Sequence, residues 1–424
     1  MSALRIEGGR VIDPAGGVDG VHDVWIDGGR IAAVGKAPAG FPEHETIGAA
    51  GLVVCPGLVD LCARLREPGE GHKGGIGPET RAAVAGGVTT LCQPPDTRPA
   101  IDTPATVELI HQRALAADRA RVLPVGALTV GLAGEYLAPM RALAAAGCVA
   151  LGQAERPLRD THVLRQALAY AATHGLTVML PLHDPDLAHG CAHEGPVATR
   201  LGLPGIPVAA ETTALARIAA LAADTGARIH VGRVSSAAAC EQLARARDAG
   251  LALTADVAAH QLHLTQEAVL SLDPRTHVRP PLRDESDRMA LRRAVGDGLL
   301  AVCSDHQPHE ADAKRAPFGA SAPGISALET LLPLALAPAR DGDYDLATAL
   351  RALTAAPAAA LGLEAGTLAP GAAADVLAFD PDAEWTLDPA AMLSRGHNTP
   401  FAGSSLRGRV AWTLVGGRRV WPEA

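Results

Sequence analysis

The stretch Leu52–Leu61 (LVVCPGLVDL) is apolar almost throughout, and similar runs recur along the middle of the chain. Helical patterns rich in Ala, Leu and Arg, such as Glu211–Asp224 and Ser236–Ala249, separate them. The eight strand candidates are Leu52–Leu61, Thr89–Gln93, Arg121–Ala127, Cys148–Leu151, Thr177–Leu182, Arg228–Val234, Leu251–Ala255 and Leu300–Ser304. Near-continuous apolar strands alternating with helices are typical of a parallel sheet covered on both faces. Eight such units predict an α/β fold of the (βα)8-barrel type, whose functional side chains follow the carboxyl ends of the strands.

Both ends of the chain have a different pattern, in which short alternating or β-branched runs are separated by glycine pairs. The strand candidates there are Leu4–Ile6, Arg10–Ile12, Val24–Ile26, Arg30–Val34, Ala374–Phe379, Arg409–Val415 and Arg418–Trp421. The pair Gly416-Gly417 predicts a hairpin turn. We therefore predict a small β-sandwich formed by residues 1–54 and 363–424, with the barrel at residues 55–362.

Composition limits the classes of function. The net charge is −9 and the isoelectric point is about 6.0, which argues against a general nucleic-acid binder. There is no run of 18 apolar residues, so no membrane-spanning segment is predicted. The first residues lack the apolar core of a secretion signal, and the seven scattered cysteines have no CxxC spacing. A cytoplasmic protein with reduced thiols is the expectation.

Six motifs, in order along nearly the whole chain, carry a resemblance to a known family. They are Pro56–Gly69 (PGLVDLCARLREPG), Gly86–Thr90 (GGVTT), Ile101–Pro104 (IDTP), Pro280–Arg283 (PPLR), Ser304–His309 (SDHQPH) and Asn398–Phe401 (NTPF). Together they resemble the type I dihydroorotases of the cyclic amidohydrolase superfamily. The resemblance implies a zinc hydrolase, in which metal ions polarise an amide carbonyl and supply hydroxide. It also implies that an Asp after strand eight moves the proton, and Asp305 stands at that position.

The positions of the family's other metal ligands carry different chemistry in this chain. They are Cys62 and Arg64 after strand one, Gln153 or Ala154 after strand four, Pro181 in strand five and Arg233 after strand six. A guanidinium group has no lone pair to offer a cation and also repels it. The nearby His183, His230 and His260 do not restore the set. The resemblance therefore predicts that zinc is lost, that no residue is catalytic and that Asp305 is a remnant.

The family's substrate-binding positions are only partly kept. Arg66 and His309 match two residues that contact the substrate carboxylate, whereas Asp96 and Arg279 replace two asparagines. The acidic Asp96 would disfavour an anionic substrate, and Arg279 is expected to crowd the pocket. The favoured interpretation of Arg66 is a structural ion pair with Glu67 or Asp96.

Charge balance leads to a geometric prediction. Without metal ions, Asp305 would be a buried anion, and its desolvation is costly unless it is paired. Arg64 and Arg233 stand at ligand positions around the same centre, so we expect one or both guanidinium groups within hydrogen-bonding reach of Asp305. Such pairing is expected to lower the pKa of the Asp305 carboxyl.

The leading prediction is a non-catalytic subunit of pyrimidine biosynthesis. Some bacteria carry an inactive homologue of the resembled family, which binds aspartate carbamoyltransferase and supports its assembly. The resemblance implies that the partner is the aspartate carbamoyltransferase catalytic chain. It also implies that this chain forms a homodimer, which binds the partner within a larger hetero-oligomer. Two alternatives stay open: an active dihydroorotase or other cyclic-amide hydrolase with a divergent metal site, and a non-catalytic binder of dihydroorotate or carbamoyl-aspartate. A nucleophilic role for Cys62 is a weaker hypothesis, because no partner His is evident in sequence.

Overall fold

The computed structural model describes residues 3–423. Its strands occur at both ends of the chain and, between helices, in the middle region. They are β1 (Ala3–Asp13), β2 (Val18–Asp27), β3 (Arg30–Val34), β4 (His44–Gly48), β5 (Val53–Pro56), β6 (Leu58–Asp60), β7 (Val88–Gln93), β8 (Arg121–Ala127), β9 (Ala150–Gly152), β10 (Val178–Pro181), β11 (Ala192–His193), β12 (Gly205–Ile206), β13 (Ile229–Gly232), β14 (Leu253–Ala258), β15 (Ala301–Cys303), β16 (Val376–Thr386), β17 (Ser405–Val415) and β18 (Arg418–Trp421).

The helices lie mainly between the strands of the middle region. They are α1 (Ile76–Ala85), α2 (Pro104–Ala117), α3 (Met140–Ala145), α4 (Thr161–Thr173), α5 (Pro196–Leu201), α6 (Ala209–Thr225), α7 (Ala237–Asp248), α8 (Glu285–Gly296), α9 (Leu331–Asp341), α10 (Leu346–Leu353) and α11 (Ala355–Leu361). Side chains that accept a hydrogen bond from the first turn cap five of them: Thr103, Asp160, Ser236, Asp284 and Asp345. Each cap satisfies backbone N–H groups that have no partner inside the helix.

A parallel sheet of eight strands forms the barrel, in the order β6-β7-β8-β9-β10-β13-β14-β15. Its ends approach one another just beyond β6 and β15, where Ala63 pairs with His306. The Arg64 N–H donates to the His306 carbonyl at 2.9 Å, and the His306 N–H donates to the Cys62 carbonyl at 3.2 Å. This nearly closed barrel confirms the predicted fold class.

The first predicted barrel strand divides between two sheets. Its first half, β5, pairs with β1 and β16 in the sheet of the chain ends, whereas β6 pairs with β7 in the barrel. Gly57 separates them, and a Cβ there would lie 2.2 Å from Thr89 side-chain atoms. The crossing therefore requires glycine, because any larger residue would collide with β7. A continuous apolar run could not reveal this division.

The two ends of the chain share a second eight-stranded sheet, in the order β18-β17-β16-β5-β1-β2-β3, with β4 on β1. Its pairings are antiparallel except for those of β1 with β4 and β5. This sheet has a core of its own that includes Ile6, Val24, Val376 and Leu414. The joint β-structure of both termini is as the sequence predicts.

Loops cover part of the barrel mouth. The loop after β10 carries the short pair β11 and β12, and a separate apolar cluster joins it to the loops after β14 and β15 through Cys191, Val269, Val278 and Phe318. Within residues 3–423, no helix has both the length and the apolar character required to cross a bilayer.

Candidate functional site at the barrel mouth

Four charged side chains from different strand ends converge at the centre of the mouth: Arg64 after β6, Glu155 after β9, Arg233 after β13 and Asp305 after β15. Asp305 Oδ1 lies 3.4 Å from Arg64 Nη1 and 3.2 Å from Arg233 Nη1. These distances confirm the predicted contact of both arginines with Asp305. Asp305 and both arginines are buried, so the charges neutralise one another in a region that excludes most water.

Asp305 is surrounded by donors. Besides the two guanidinium groups, Gln307 Nε2 donates to Oδ1 at 3.1 Å and to Oδ2 at 3.2 Å, and Cys62 Sγ lies 3.6 Å from Oδ1. The expectation of a lowered pKa is nevertheless wrong. Burial raises the pKa of Asp305, and the opposing effect of Arg233 and Arg64 does not outweigh it, partly because Glu155 adds a second negative charge.

Glu155 is the central residue that sequence reasoning missed. Its Oε1 contacts Arg233 Nη1 and lies 3.3 Å from Arg64 Nη2. Burial alone would raise the pKa of Glu155, but Arg233 and Arg64 more than compensate and lower it to about 2. The signal was present in the sequence, because Glu155 directly follows the aligned position Ala154. A side chain that begins one residue later still reaches the centre.

Arg64 joins three carboxylates. Its Nε donates to Asp96 Oδ2 at 2.8 Å, while its two Nη atoms face Asp305 and Glu155. Burial by itself lowers the pKa of Arg64, yet these anions raise it well above its ordinary value. The replacement Asp96 is therefore part of the charge cluster.

Five replaced ligand positions line one pocket at the barrel mouth. They are Cys62, Arg64, Ala154, Pro181 and Arg233. The sixth, Gln153, is buried and donates instead to Thr129 Oγ1 and the Leu132 carbonyl. Burial raises the pKa of Cys62 well above its ordinary value, which keeps it a neutral thiol, a poor ligand and nucleophile. A tetrahedral zinc site needs thiolate, imidazole or carboxylate donors, and this set with two guanidinium groups does not fit one.

Two of the neighbouring histidines, His183 and His230, have other partners. His230 contacts Thr254 Oγ1 at 2.9 Å and Asp256 Oδ2 at 3.0 Å, and His183 Nε2 lies 3.2 Å from the Glu155 carbonyl. His260 is fully buried, and burial lowers its pKa to about 3.

The residues at the substrate-binding positions are placed differently from expectation. Arg66 pairs with Glu70 at 3.4 Å and contacts His309 Nε2 at 3.1 Å, so its partner is neither Glu67 nor Asp96. Arg279 is exposed and donates to the Gly190 carbonyl at 3.3 Å, so it does not fill the centre of the mouth. Both errors concern long side chains whose direction depends on loop structure.

The backbone of the mouth has an unusual conformation at four strand ends. Arg66, Ala154, Arg233 and Asp305 have φ values of 61°, 49°, 62° and 45°. Non-glycine residues rarely adopt this left-handed region, and in structures it concentrates at functional sites. The backbone at these four positions is therefore strained, and two of the residues, Arg233 and Asp305, belong to the charge cluster.

A second group of possible metal ligands lies outside this centre. His193, Asp284 and Asp287 form the one cluster among residues 3–423 whose ligand atoms lie within 4.8 Å of one another. Asp284 accepts a hydrogen bond from the Asp287 N–H, and Asp287 accepts one from the Ala237 N–H. Both carboxylates therefore bind backbone N–H groups at helix N-termini, those of α8 and α7. His193 Nδ1 lies 3.0 Å from Arg283 Nη1, which can only donate. These contacts give all three residues a structural role.

Comparison with solved structures supports the fold. The L-hydantoinase of Arthrobacter aurescens superposes with a TM-score of 0.88 at 22% identity, covering 99% of this chain and 96% of that one. The dihydropyrimidinase of Brevibacillus agri superposes with a TM-score of 0.84 at 23% identity, covering 99% and 95%.

Sequence comparison identifies the family. The Dihydro-orotase-like family model matches residues 51–239, and the Amidohydrolase family model matches residues 321–421. A dihydroorotase-like protein of Pseudomonas aeruginosa is 52% identical over 416 residues, which is 98% of both chains. A dihydroorotase of Anaeromyxobacter dehalogenans is 46% identical over 426 residues, covering 99% of this chain and 98% of that one. The chain belongs to the dihydroorotase-like family of amidohydrolases.

Proposed function

We propose that this chain is a non-catalytic, cytoplasmic dihydroorotase-like subunit that assembles with and supports aspartate carbamoyltransferase in pyrimidine biosynthesis. One observation carries the non-catalytic part of the proposal. Two buried guanidinium groups, Arg64 and Arg233, stand at ligand positions and contact Asp305 and Glu155. The positive charge that zinc supplies in this family is here part of the polypeptide.

The same contacts explain why hydrolysis is not expected. Attack on a cyclic amide by the family mechanism needs a polarised carbonyl and an activated water, both supplied by metal. Asp305 would have to exchange a proton with substrate, but Arg64, Arg233 and Gln307 occupy its oxygens. It is also only 1% exposed. A general base must lie within reach of the proton it takes, and this carboxylate is enclosed.

Assembly with the carbamoyltransferase is proposed from the resemblance to inactive homologues. Proteins of P. aeruginosa and P. putida, 52% and 53% identical over 98% of this chain, are named dihydroorotase-like, which supports the family in which those inactive homologues occur. We propose a homodimer as the form that enters the larger complex with the catalytic chain.

Co-expression tests the proposal. An affinity-tagged form of this chain is produced together with the aspartate carbamoyltransferase chain of the same genome, and the complex is measured by size exclusion with light scattering. We expect one species containing both chains, and carbamoyltransferase activity that falls when this chain is omitted. Separate elution of the two chains, with full activity of the carbamoyltransferase alone, would contradict the assembly role.

The alternative of an active hydrolase has one observation in its favour. Relatives with 46% identity over 99% of the chain are named dihydroorotases. Assays of dihydroorotate hydrolysis with and without added zinc distinguish it, since an active enzyme would show turnover that a chelator removes.

The alternative of a ligand-binding protein rests on Arg66 and His309, which are retained and in mutual contact. Calorimetry with dihydroorotate and carbamoyl-aspartate tests it, because a binder gives saturable heat without product.

A further inference from the structure

A cavity of about 580 Å³ lies between the helices around the barrel and the sheet formed by the two ends of the chain. It is lined by the end of α1, the start of α9, the end of β16 with the segment that follows it, and residues of β17 and β18. This volume lies within the range of about 300–1,000 Å³ usual for small-molecule pockets. The charge-cluster residues Arg64, Glu155, Arg233 and Asp305 are not among its lining residues, so the cavity is distinct from the site at the barrel mouth.

The walls of this cavity are mainly apolar and include two indole rings. Trp385 in β16 and Trp421 in β18 border it, and they are two of the four tryptophans in a chain with few aromatic residues. The indole N–H of Trp385 donates to the Gly408 carbonyl at 3.2 Å, which holds that ring against β17. Leu332 and Val410 add aliphatic surface. An indole ring packs against apolar groups and also attracts cations through its π electrons.

The charges of the lining favour one class of ligand. Three acids, Glu329, Glu384 and Asp388, and one base, Arg409, border the cavity, and none of the four forms an ion pair within residues 3–423. Negative charge therefore exceeds positive charge in the lining. Such a balance attracts a cation into the cavity and disfavours an anion.

Glu329 gives this argument a local basis. Its carboxylate accepts hydrogen bonds from the Leu393 N–H at 3.0 and 3.1 Å and from the Ser394 N–H at 3.2 Å. Burial nevertheless raises the pKa of Glu329, so these N–H groups do not fully compensate the loss of hydration. His306 opposes that effect, but its Nε2 is bound to Glu79 at 3.0 Å. A cation in the cavity would supply the missing compensation.

We propose that this cavity binds a small organic cation, a quaternary or protonated amine with an apolar body. Its charge is balanced by Glu329 and Glu384, and its apolar part packs against Trp385 and Trp421. The proposal is separate from assembly with aspartate carbamoyltransferase, and neither depends on the other.

Calorimetric titration at constant ionic strength tests the site, because charge effects at exposed groups depend on salt. The probes are acetylcholine, a quaternary ammonium ester, and 3,3-dimethylbutyl acetate, in which carbon replaces the charged nitrogen. The two probes have nearly the same size and shape, so a difference in affinity measures the contribution of charge. We expect saturable binding of acetylcholine, about 10-fold tighter than that of the uncharged isostere.

Variants of the lining test the two parts of the proposal. Glu384→Gln should weaken acetylcholine binding about 3-fold, because an exposed charge contributes little. Glu364→Gln is the matched control and should leave the affinity unchanged, because Glu364 is exposed, lies outside the cavity and has no ion pair in the described part of the chain. Trp421→Leu should weaken acetylcholine binding about 10-fold, and Trp421→Phe, which keeps an aromatic ring, should weaken it less.

Three results would overturn the proposal. The first is the absence of saturable acetylcholine binding to the unaltered protein, and the second is equal affinity for acetylcholine and its uncharged isostere. The third is an equal effect of Glu384→Gln and Glu364→Gln on acetylcholine binding.

Discussion

Replacing Arg64 by alanine removes the cation shared by three carboxylates. Breaking a buried ion pair from one side typically costs about 3–5 kcal/mol, because the remaining charge is left without compensation. Two features place Arg64→Ala near the lower end, at about 3 kcal/mol. The shortest contact, 2.8 Å, is to Asp96, whose side chain is 23% exposed and can rehydrate. Asp305 is 1% exposed but keeps Arg233 at 3.2 Å.

Urea unfolding at neutral pH, followed by circular dichroism and fluorescence, measures this loss. Coincident transitions are required before a free energy of unfolding is calculated. The matched control is Arg159→Ala, because Arg159 pairs with Asp186 where both side chains are more than 60% exposed. That surface pair should contribute no more than about 1 kcal/mol.

A double-mutant cycle isolates the interaction itself. Arg64→Ala together with Asp305→Ala should cost less than the two single changes added together, since each alone leaves an unpaired buried charge. Equal losses for Arg64→Ala and Arg159→Ala, or strict additivity in the cycle, would refute the view that the arginine compensates buried acids.

Three further outcomes follow from the site. The pKa of Glu155 is about 2 against an ordinary 4.5. Ionised Glu155 therefore contributes roughly 3 kcal/mol to the free energy of unfolding above pH 4.5, and this contribution is lost as the pH falls toward 2. Glu155→Gln should flatten that decline in acid titrations of stability; an unaltered decline would contradict it. Cys62 should resist iodoacetamide at pH 8 in the folded protein and react after unfolding, because burial raises the pKa of its thiol. Peptide mapping measures the labelling, and rapid labelling of Cys62 in the folded protein would contradict this expectation. A variant with histidine substituted at Cys62, Arg64, Pro181 and Arg233 together should show no dihydroorotase activity, because the residues that support metal ligands matter as much as the ligands. Measurable zinc-dependent turnover in this variant would contradict that expectation.

The sequence allowed the barrel and its centre to be predicted because these depend on strand periodicity and on motifs at strand ends. The contact of Arg64 and Arg233 with Asp305 could be inferred for the same reason: strand ends of a barrel converge. The partners of Arg66 and Arg279 could not, because a long side chain can turn toward any loop within its reach. Glu70, which pairs with Arg66, lies only four residues away, yet nothing in the motif indicates it.

The predicted direction of the Asp305 pKa shift was wrong for a different reason. Its direction depends on the balance between burial and several charges, and Glu155 was absent from the predicted set. A single residue beyond an aligned position therefore changed the electrostatics of the whole centre.

Whether arginines replace zinc at the barrel centre is tested by an anomalous difference map at the zinc absorption edge, from crystals grown with excess zinc. This measurement locates each bound ion, so zinc at His193, Asp284 and Asp287 is distinguished from zinc at the barrel centre. We expect no peak among Arg64, Arg233 and Asp305, with both guanidinium groups still in contact with the carboxylates. A zinc peak within coordination distance of Asp305, with the arginines displaced, would contradict it.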